Sequence, residues 1–132
     1  MKRILSLFLI FVLLFSLTSC GTLNFVDIEE FSSDVYTAND ITSAMEVVLE
    51  SFHGRSDTVL LRISYIGDNE LADYQDWADR NNADDVIVFL TDYYISFFSD
   101  NPVMNTGHKY ENYNYILVRT RGCEWEIVDH GY

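Results

Sequence analysis

The sequence predicts an α+β domain, two helices packed on a mostly antiparallel sheet of about four strands. Three observations point to it. Apolar residues recur at helical intervals from Ile41 to Phe52 behind a capping signal, two later runs alternate or stay continuously apolar as strands do, and two apolar segments joined by Arg121-Gly122 close the chain.

The first helix begins at Thr37. Thr37-Ala38-Asn39-Asp40 fits a capping box, in which threonine and the acid three residues later satisfy each other's backbone amides, and Tyr36 is placed to staple onto Ile41. Ile41, Ala44, Met45, Val48, Leu49 and Phe52 form one stripe, and His53-Gly54 offers a stop. Val59, Leu61, Ile63 and Tyr65 then alternate with Leu60, Arg62 and Ser64, the period of a strand with one buried face, up to Gly67-Asp68-Asn69. A second helix fits residues 70–80, with Leu71, Tyr74, Trp77 and Ala78 on one side and Asn81-Asn82 after it. Both helices are expected on one face of the sheet.

Residues 86–98 read as one long strand in which Ile87, Phe89, Tyr93, Ile95 and Phe97 share a parity. The other parity starts apolar at Val86, Val88 and Leu90 and turns polar at Asp92 and Ser96, so the strand is buried on both faces at its start and opens to water or a cavity at its end. Residues 99–109, with Pro102 and Gly107, form the longest loop. Runs 110–120 and 123–130 make a hairpin whose Gly122 supplies a positive φ, with Cys123, Trp125 and Ile127 on one strand face.

Ahead of this domain, Lys2 and Arg3 precede an apolar run from Ile4 to Phe15, shorter than the ~20 residues a spanning helix needs. Leu17-Thr18-Ser19-Cys20 follows and resembles the processing box of bacterial lipoproteins. The resemblance implies a signal peptide over residues 1–19, diacylglyceryl transfer to the Cys20 thiol, cleavage before it, and a protein held on the extracytoplasmic side of the cell membrane by lipid. Two or three acyl chains on Cys20 suffice for stable anchoring, where one gives only marginal binding. Residues 20–36 would be the lipidated amino terminus and linker. Leu23, Phe25, Val26, Ile28 and Phe31 make that stretch apolar enough for part of it to dock on the domain at 37–132.

Charge excludes one class of partner. The chain has 21 acidic and 8 basic side chains, net −13, and loss of Lys2 and Arg3 with the signal peptide moves this to −15. A nucleic-acid binder needs basic patches to neutralise phosphate, so no nucleic acid is expected. Acidity also opposes adhesion to anionic headgroups. Lipidation of Cys20 would leave Cys123 without a disulfide partner, and it reads as a small buried hydrophobe.

No motif names a reaction: the zinc helix, nucleophile elbow, paired-cysteine knuckle and glycine-rich phosphate loop are all missing. No cofactor or metal is expected. The weak catalytic candidates are Asp92, Tyr94 and His130 or Tyr132, with Asp92 as a base of raised pKa in a pocket and tyrosine donating to an oxyanion. The bland alternative is an aspartate at a strand bend among solvated tyrosines. Glu70, Asp73, Asp76 and Asp79 rotate about −60° per step around a helix and so form a solvated face, with Asp76 and Arg80 as an i,i+4 pair. A zinc site from His53, His108 and His130 would require the fold to unite them. Tyr93, Tyr110, Tyr113 and Tyr115 flank the long loop and offer a binding surface, with core filling the default for at least half of the chain's sheet tyrosines.

Tyr115-Ile116-Leu117-Val118-Arg119, the hairpin, and Trp125-Glu126-Ile127-Val128-Asp129-His130-Gly131-Tyr132 resemble the closing hairpin of a family of uncharacterised small bacterial lipoproteins. Asp40-Ile41, Phe52 and Asn101-Pro102 are similar too. More loosely, a leading helix followed by a curved sheet with tryptophan and isoleucine in its last strand resembles the NTF2-like, cystatin-like cone. That fold hosts isomerases, dehydratases and binding modules, so the likeness implies a shape and not a reaction. The reading is a membrane-anchored envelope module that binds a small ligand or another envelope protein. Its alternative is an NTF2-like enzyme using Asp92.

Overall fold

The computed structural model describes residues 26–100 and 102–132. Residues 1–19, where a signal peptide is expected, Cys20, Leu23 and Phe25 of the expected linker, and Asn101 lie outside these residues. The described chain is α+β, but its sheet has five strands rather than four, in the order β1-β2-β3-β4-β5. These are β1 (Asp27–Ile28), β2 (Thr58–Tyr65), β3 (Asp85–Ile95), β4 (Lys109–Arg119) and β5 (Glu126–Gly131). The added strand is β1, too short to carry an alternation signal. It lies parallel to β2 through Asp27–Arg62 and Ile28–Ile63, and every other pairing is antiparallel.

Helix α1 (Ala38–His53) starts as expected: Thr37 Oγ1 accepts the Asp40 amide, and the Asp40 carboxylate accepts the Thr37 amide. The helix stops at Gly54, whose φ of −84° is ordinary right-handed backbone, so the stop does not depend on glycine there. Ile41, Ala44, Met45, Val48 and Phe52 pack on one face of the sheet against Leu60, Ile63, Ile87, Phe89, Tyr93, Tyr115 and Leu117.

The second helical region is not one continuous helix. It runs as α2 (Asp68–Leu71), a 3₁₀ turn (Ala72–Tyr74) and α3 (Gln75–Arg80), and Leu71 and Ala78 cover Val86, Val88, Ile116 and Val118. Those four have the opposite parity to Ile87 and Leu117, so the two helical layers flank the sheet instead of sharing a face. The strand itself carries the reason: Val86, Ile87, Val88 and Phe89 are all fully buried, and a strand apolar on both faces needs a cover on each. The exposed Asp76–Arg80 ion pair forms as the spacing implies.

Three register shifts interrupt the sheet, between Leu60 and Arg62 in β2, opposite Thr91–Tyr93 in β4, and in β5 opposite Ile116–Leu117. Each inserts one residue, and each inverts the parity beyond it. The simple alternation expected for residues 59–65 therefore fails. Leu60 and Ile63 are buried while Val59 and Leu61 are exposed. Strand β3 ends at Ile95, so Phe97 is exposed in the following turn rather than buried on the strand. Cys123 is likewise exposed in the hairpin turn, where its amide donates to Thr120 O, and does not share a strand face with Trp125. Gly122 takes the positive φ expected of it, 82°.

The segment before α1 docks on the domain. Val26, Phe31 and Tyr36 pack on the α1-side core. Asp68 ties the segment down by accepting the Ser33 hydroxyl at 2.6 Å, the Asp34 amide at 2.7 Å and the Tyr65 hydroxyl at 2.7 Å. Tyr36 turns its hydroxyl to Val86 O, and its pKa is pushed up to about 12, chiefly by burial. Arg119 lies 4.2 Å over the Trp125 ring and bridges Asp40 on α1 to Asp85 on β3.

Candidate functional site

Strand polarity puts three features at one end of the sheet. Strand β2 begins where β3 ends, and β4 begins there too; β5 runs back toward the same end. That end carries the α1–β2 connection, the long β3–β4 loop, and the carboxyl-terminal part of β5.

A half-open cleft of about 390 Å³ lies among them, lined by Arg55, Asp57, Thr58, Tyr93, Ile95, Val103, Met104 and His130. Its volume is in the range of small-molecule sites, about 300–1,000 Å³. Ile95 and Tyr93 come from the buried parity of β3, Thr58 from the start of β2, Met104 from the loop, and His130 from β5. Arg55 follows the α1 cap and stands 5.5 Å over the Phe52 ring.

Behind the cleft the tyrosines form a packed cluster. Tyr93 stacks on Tyr110 at 5.2 Å and meets Tyr113 edge-on at 5.3 Å, and Phe52 touches both Tyr93 and Tyr115. His130 stacks on Tyr115 at 5.4 Å and shares a hydrogen bond of 3.2 Å between its Nδ1 and the Tyr113 hydroxyl. Tyr93, Tyr113 and Tyr115 are thus core residues, and Tyr110, half-buried, accepts the Asn105 amide through its hydroxyl. Of the four tyrosines named from the sequence as a binding surface, three therefore fill the core and Tyr110 is half-buried; Tyr93 reaches the cleft, together with the exposed His130. Burial raises the pKa of Tyr93 and Tyr115 and keeps both phenols neutral.

Asp92 belongs to the opposite face. It is 7% exposed, and Arg62 grips it with two bonds of 3.0 Å, Nε to Oδ2 and Nη2 to Oδ1. The Asn112 amide, turned inward by the β4 bulge at φ 53°, gives Oδ1 a further bond of 2.9 Å. Arg62 also reaches Glu29 and Asn112. The guanidinium holds the Asp92 carboxyl below its usual range, with the Asn112 amide adding to the effect. A raised-pKa base at Asp92 is therefore corrected to an ionised carboxylate whose oxygens are occupied by structural bonds. Tyr94 lies beside Phe97 on that same parity, whereas His130 and Tyr132 meet Tyr113. The fold does not bring Asp92, Tyr94 and His130 together.

No group of acids, histidines and cysteine among the described residues gathers to hold a metal. His53 is paired with Glu50. Sequence reasoning missed Arg55, Asp57, Thr58 and Met104, which carry no spacing signal because separate connections bring them together. No helix of the described residues is long and apolar enough to cross a membrane. Compared with protein-family models, curated proteins and solved structures, the chain matches none.

Proposed function

We propose that this is a lipid-anchored extracytoplasmic protein, held to the cell membrane through acylated Cys20, whose domain binds a small amphipathic ligand in the Tyr93–His130 cleft. The cleft carries the reading: it is the right size, and its two sides differ in chemistry. Ile95, Met104 and the Tyr93 ring offer a seat for an apolar body, while Arg55 and His130 stand ready for an acidic or hydroxyl-bearing end. The processing box Leu17-Thr18-Ser19-Cys20 supports the address. A helix laid on one face of a curved sheet, with a pocket at the sheet's end, also fits the NTF2-like likeness.

Binding, and not turnover, is the reading supported. Asp57, the carboxylate in the cleft, is a poor proton acceptor: it accepts the Ser99 and Thr58 hydroxyls, which hold its pKa down. The test uses 4-phenylbutyrate, an apolar ring with a carboxylate end, titrated into the isotope-labelled chain. Backbone shifts should concentrate at Arg55, Thr58, Ile95, Met104 and His130, and Arg55→Ala should weaken the binding. Shifts elsewhere, or none at millimolar probe, would refute the assignment.

A further inference from the structure

The β3–β4 loop carries a second feature at the same end of the sheet. Ser96–Ser99 form a tight turn closed by the Ser99 amide on Ser96 O at 3.1 Å, and its two central residues are Phe97 and Phe98. Turn centres normally hold glycine, proline, asparagine, aspartate or serine, which either supply the geometry or tolerate water. Here they hold two rings that are 73% and 95% exposed, with Val103 of the same loop 87% exposed.

The turn is built, not loose. The Ser96 amide donates to Asp57 O at 2.8 Å, the Ser99 hydroxyl to Asp57 Oδ2 at 2.5 Å, and the Phe98 amide to Ser96 Oγ at 3.2 Å. Phe97 lies over Gly107, where a Cβ would meet its ring carbons at 2.3 to 2.9 Å, and φ at Gly107 is 74°. Rings held outward by this many bonds spend no further entropy on presentation.

Direction identifies what they face. Strand β1 is parallel to β2, so its amino-terminal side points to the end of the sheet where β2 begins, the end that carries the phenylalanine turn. Cys20 precedes Val26 by six residues, at most about 20 Å of extended chain. The exposed acids of the helical region, Glu70, Asp73, Asp76, Asp79 and Asp84, connect β2 to β3 at the opposite end. These five acids thus lie away from the aromatic tip, where Arg55 and Lys109 stand among Asp57, Asp100 and Glu111, with Lys109 paired to Glu111.

We infer that the Phe97–Phe98 turn inserts into the interfacial layer of the bilayer that holds the anchor, so that the domain stands on the membrane with its acidic helical region outward. This rests on the acylation of Cys20 proposed above. Aromatic side chains on a preformed apolar tip gain from burial about 5–10 Å into the headgroup boundary without needing anionic lipid. The cleft mouth, bordered by Val103 and Met104 of the same loop, then opens at headgroup level.

The test reconstitutes the full chain in neutral phosphatidylcholine vesicles, with and without lipid brominated near the carbonyl end of the acyl chains. Trp77 and Trp125, both at the far end of the sheet, serve as internal references. Their emission should not change with brominated lipid. The emission added by Phe98→Trp should fall about twofold or more, as expected for a ring at interfacial depth. Intact mass reports the state of Cys20 separately, so an unmodified cysteine overturns the anchoring proposal while quenching still decides the turn's. Acylated chain whose added tryptophan is unquenched overturns membrane insertion, and so does a blue-shifted but unquenched tryptophan in a chain that sizes as a dimer. As a second variant, Phe98→Ser, which removes the more exposed ring, should leave the thermal midpoint in place and sharply weaken the protection of loop amides that vesicles confer on the parent chain.

Discussion

Asp92 and Tyr93 are adjacent in β3 and face opposite sides of the same sheet, yet their environments differ in kind. Asp92 meets a guanidinium and a bulge amide, and its carboxylate is committed to holding β2, β3 and β4 together. Tyr93 meets other aromatic rings and one weak sulfur contact at 3.5 Å to Met104, and borders open volume. A polar group with its bonds already made is a structural element, however suggestive its chemistry. Residues bordering empty, mixed-polarity space are where a ligand can be held.

The comparison breaks most visibly on the Asp92 side. Arg62→Ala should destabilise the fold by about 3 kcal/mol in urea titrations, because it strands a largely buried carboxylate. Probe binding in the cleft should survive in whatever fraction remains folded. On the other side, Tyr93→Phe should cost less than about 1 kcal/mol of stability, since its hydroxyl bonds weakly, while His130→Ala should weaken 4-phenylbutyrate binding about tenfold by calorimetry.

The pH dependence sharpens the contrast. Asp92, Asp68 and Asp40 all titrate lower in the fold than the 3.8 of an unfolded aspartate, so the stability they contribute is full above that value and drains as pH falls below it. Tyr36 titrates at about 12 in the fold against 10.0 unfolded, so its contribution is full below pH 10 and is lost as pH rises from 10 toward 12. Tyr65, Tyr93 and Tyr115 are raised in the same sense. Thermal midpoints should therefore fall at both extremes, and in Asp92→Asn the acid loss should shrink by the Asp92 share while the shares of Asp68 and Asp40 remain. The smallest effect belongs to the exposed Asp76–Arg80 pair: Asp76→Ala should change stability by no more than about 0.5 kcal/mol and leave binding alone.

Much of the fold was legible because its signals are local. The Thr37–Asp40 cap, the α1 stripe, the two-sided burial of residues 86–89 and the Gly122 turn each depend on residues within one element. Misreadings arose where a bulge or a partner intervened. One inserted residue in β2 moved Leu60 into the core and Leu61 out, and nothing in the string Val59-Leu60-Leu61-Arg62-Ile63 marks the insertion. The placement of the second helical region on the far face was implicit in Val86-Ile87-Val88-Phe89, which demands two covers. The site was less legible: Tyr93 and His130 could be nominated by type, but Arg55, Thr58 and Met104 join them only through the sheet's polarity. Asp92 misled because Arg62 lies 30 positions earlier in the chain.

The most direct test of the central claim, that function resides on the Tyr93 face and not at Asp92, is chemical-shift mapping of the labelled chain with 4-phenylbutyrate. The account predicts saturable shifts at Arg55, Ile95, Met104 and His130, unchanged at Asp92 and Arg62. Saturable shifts centred on Asp92, Arg62 and Asn112, with the cleft silent, would contradict it.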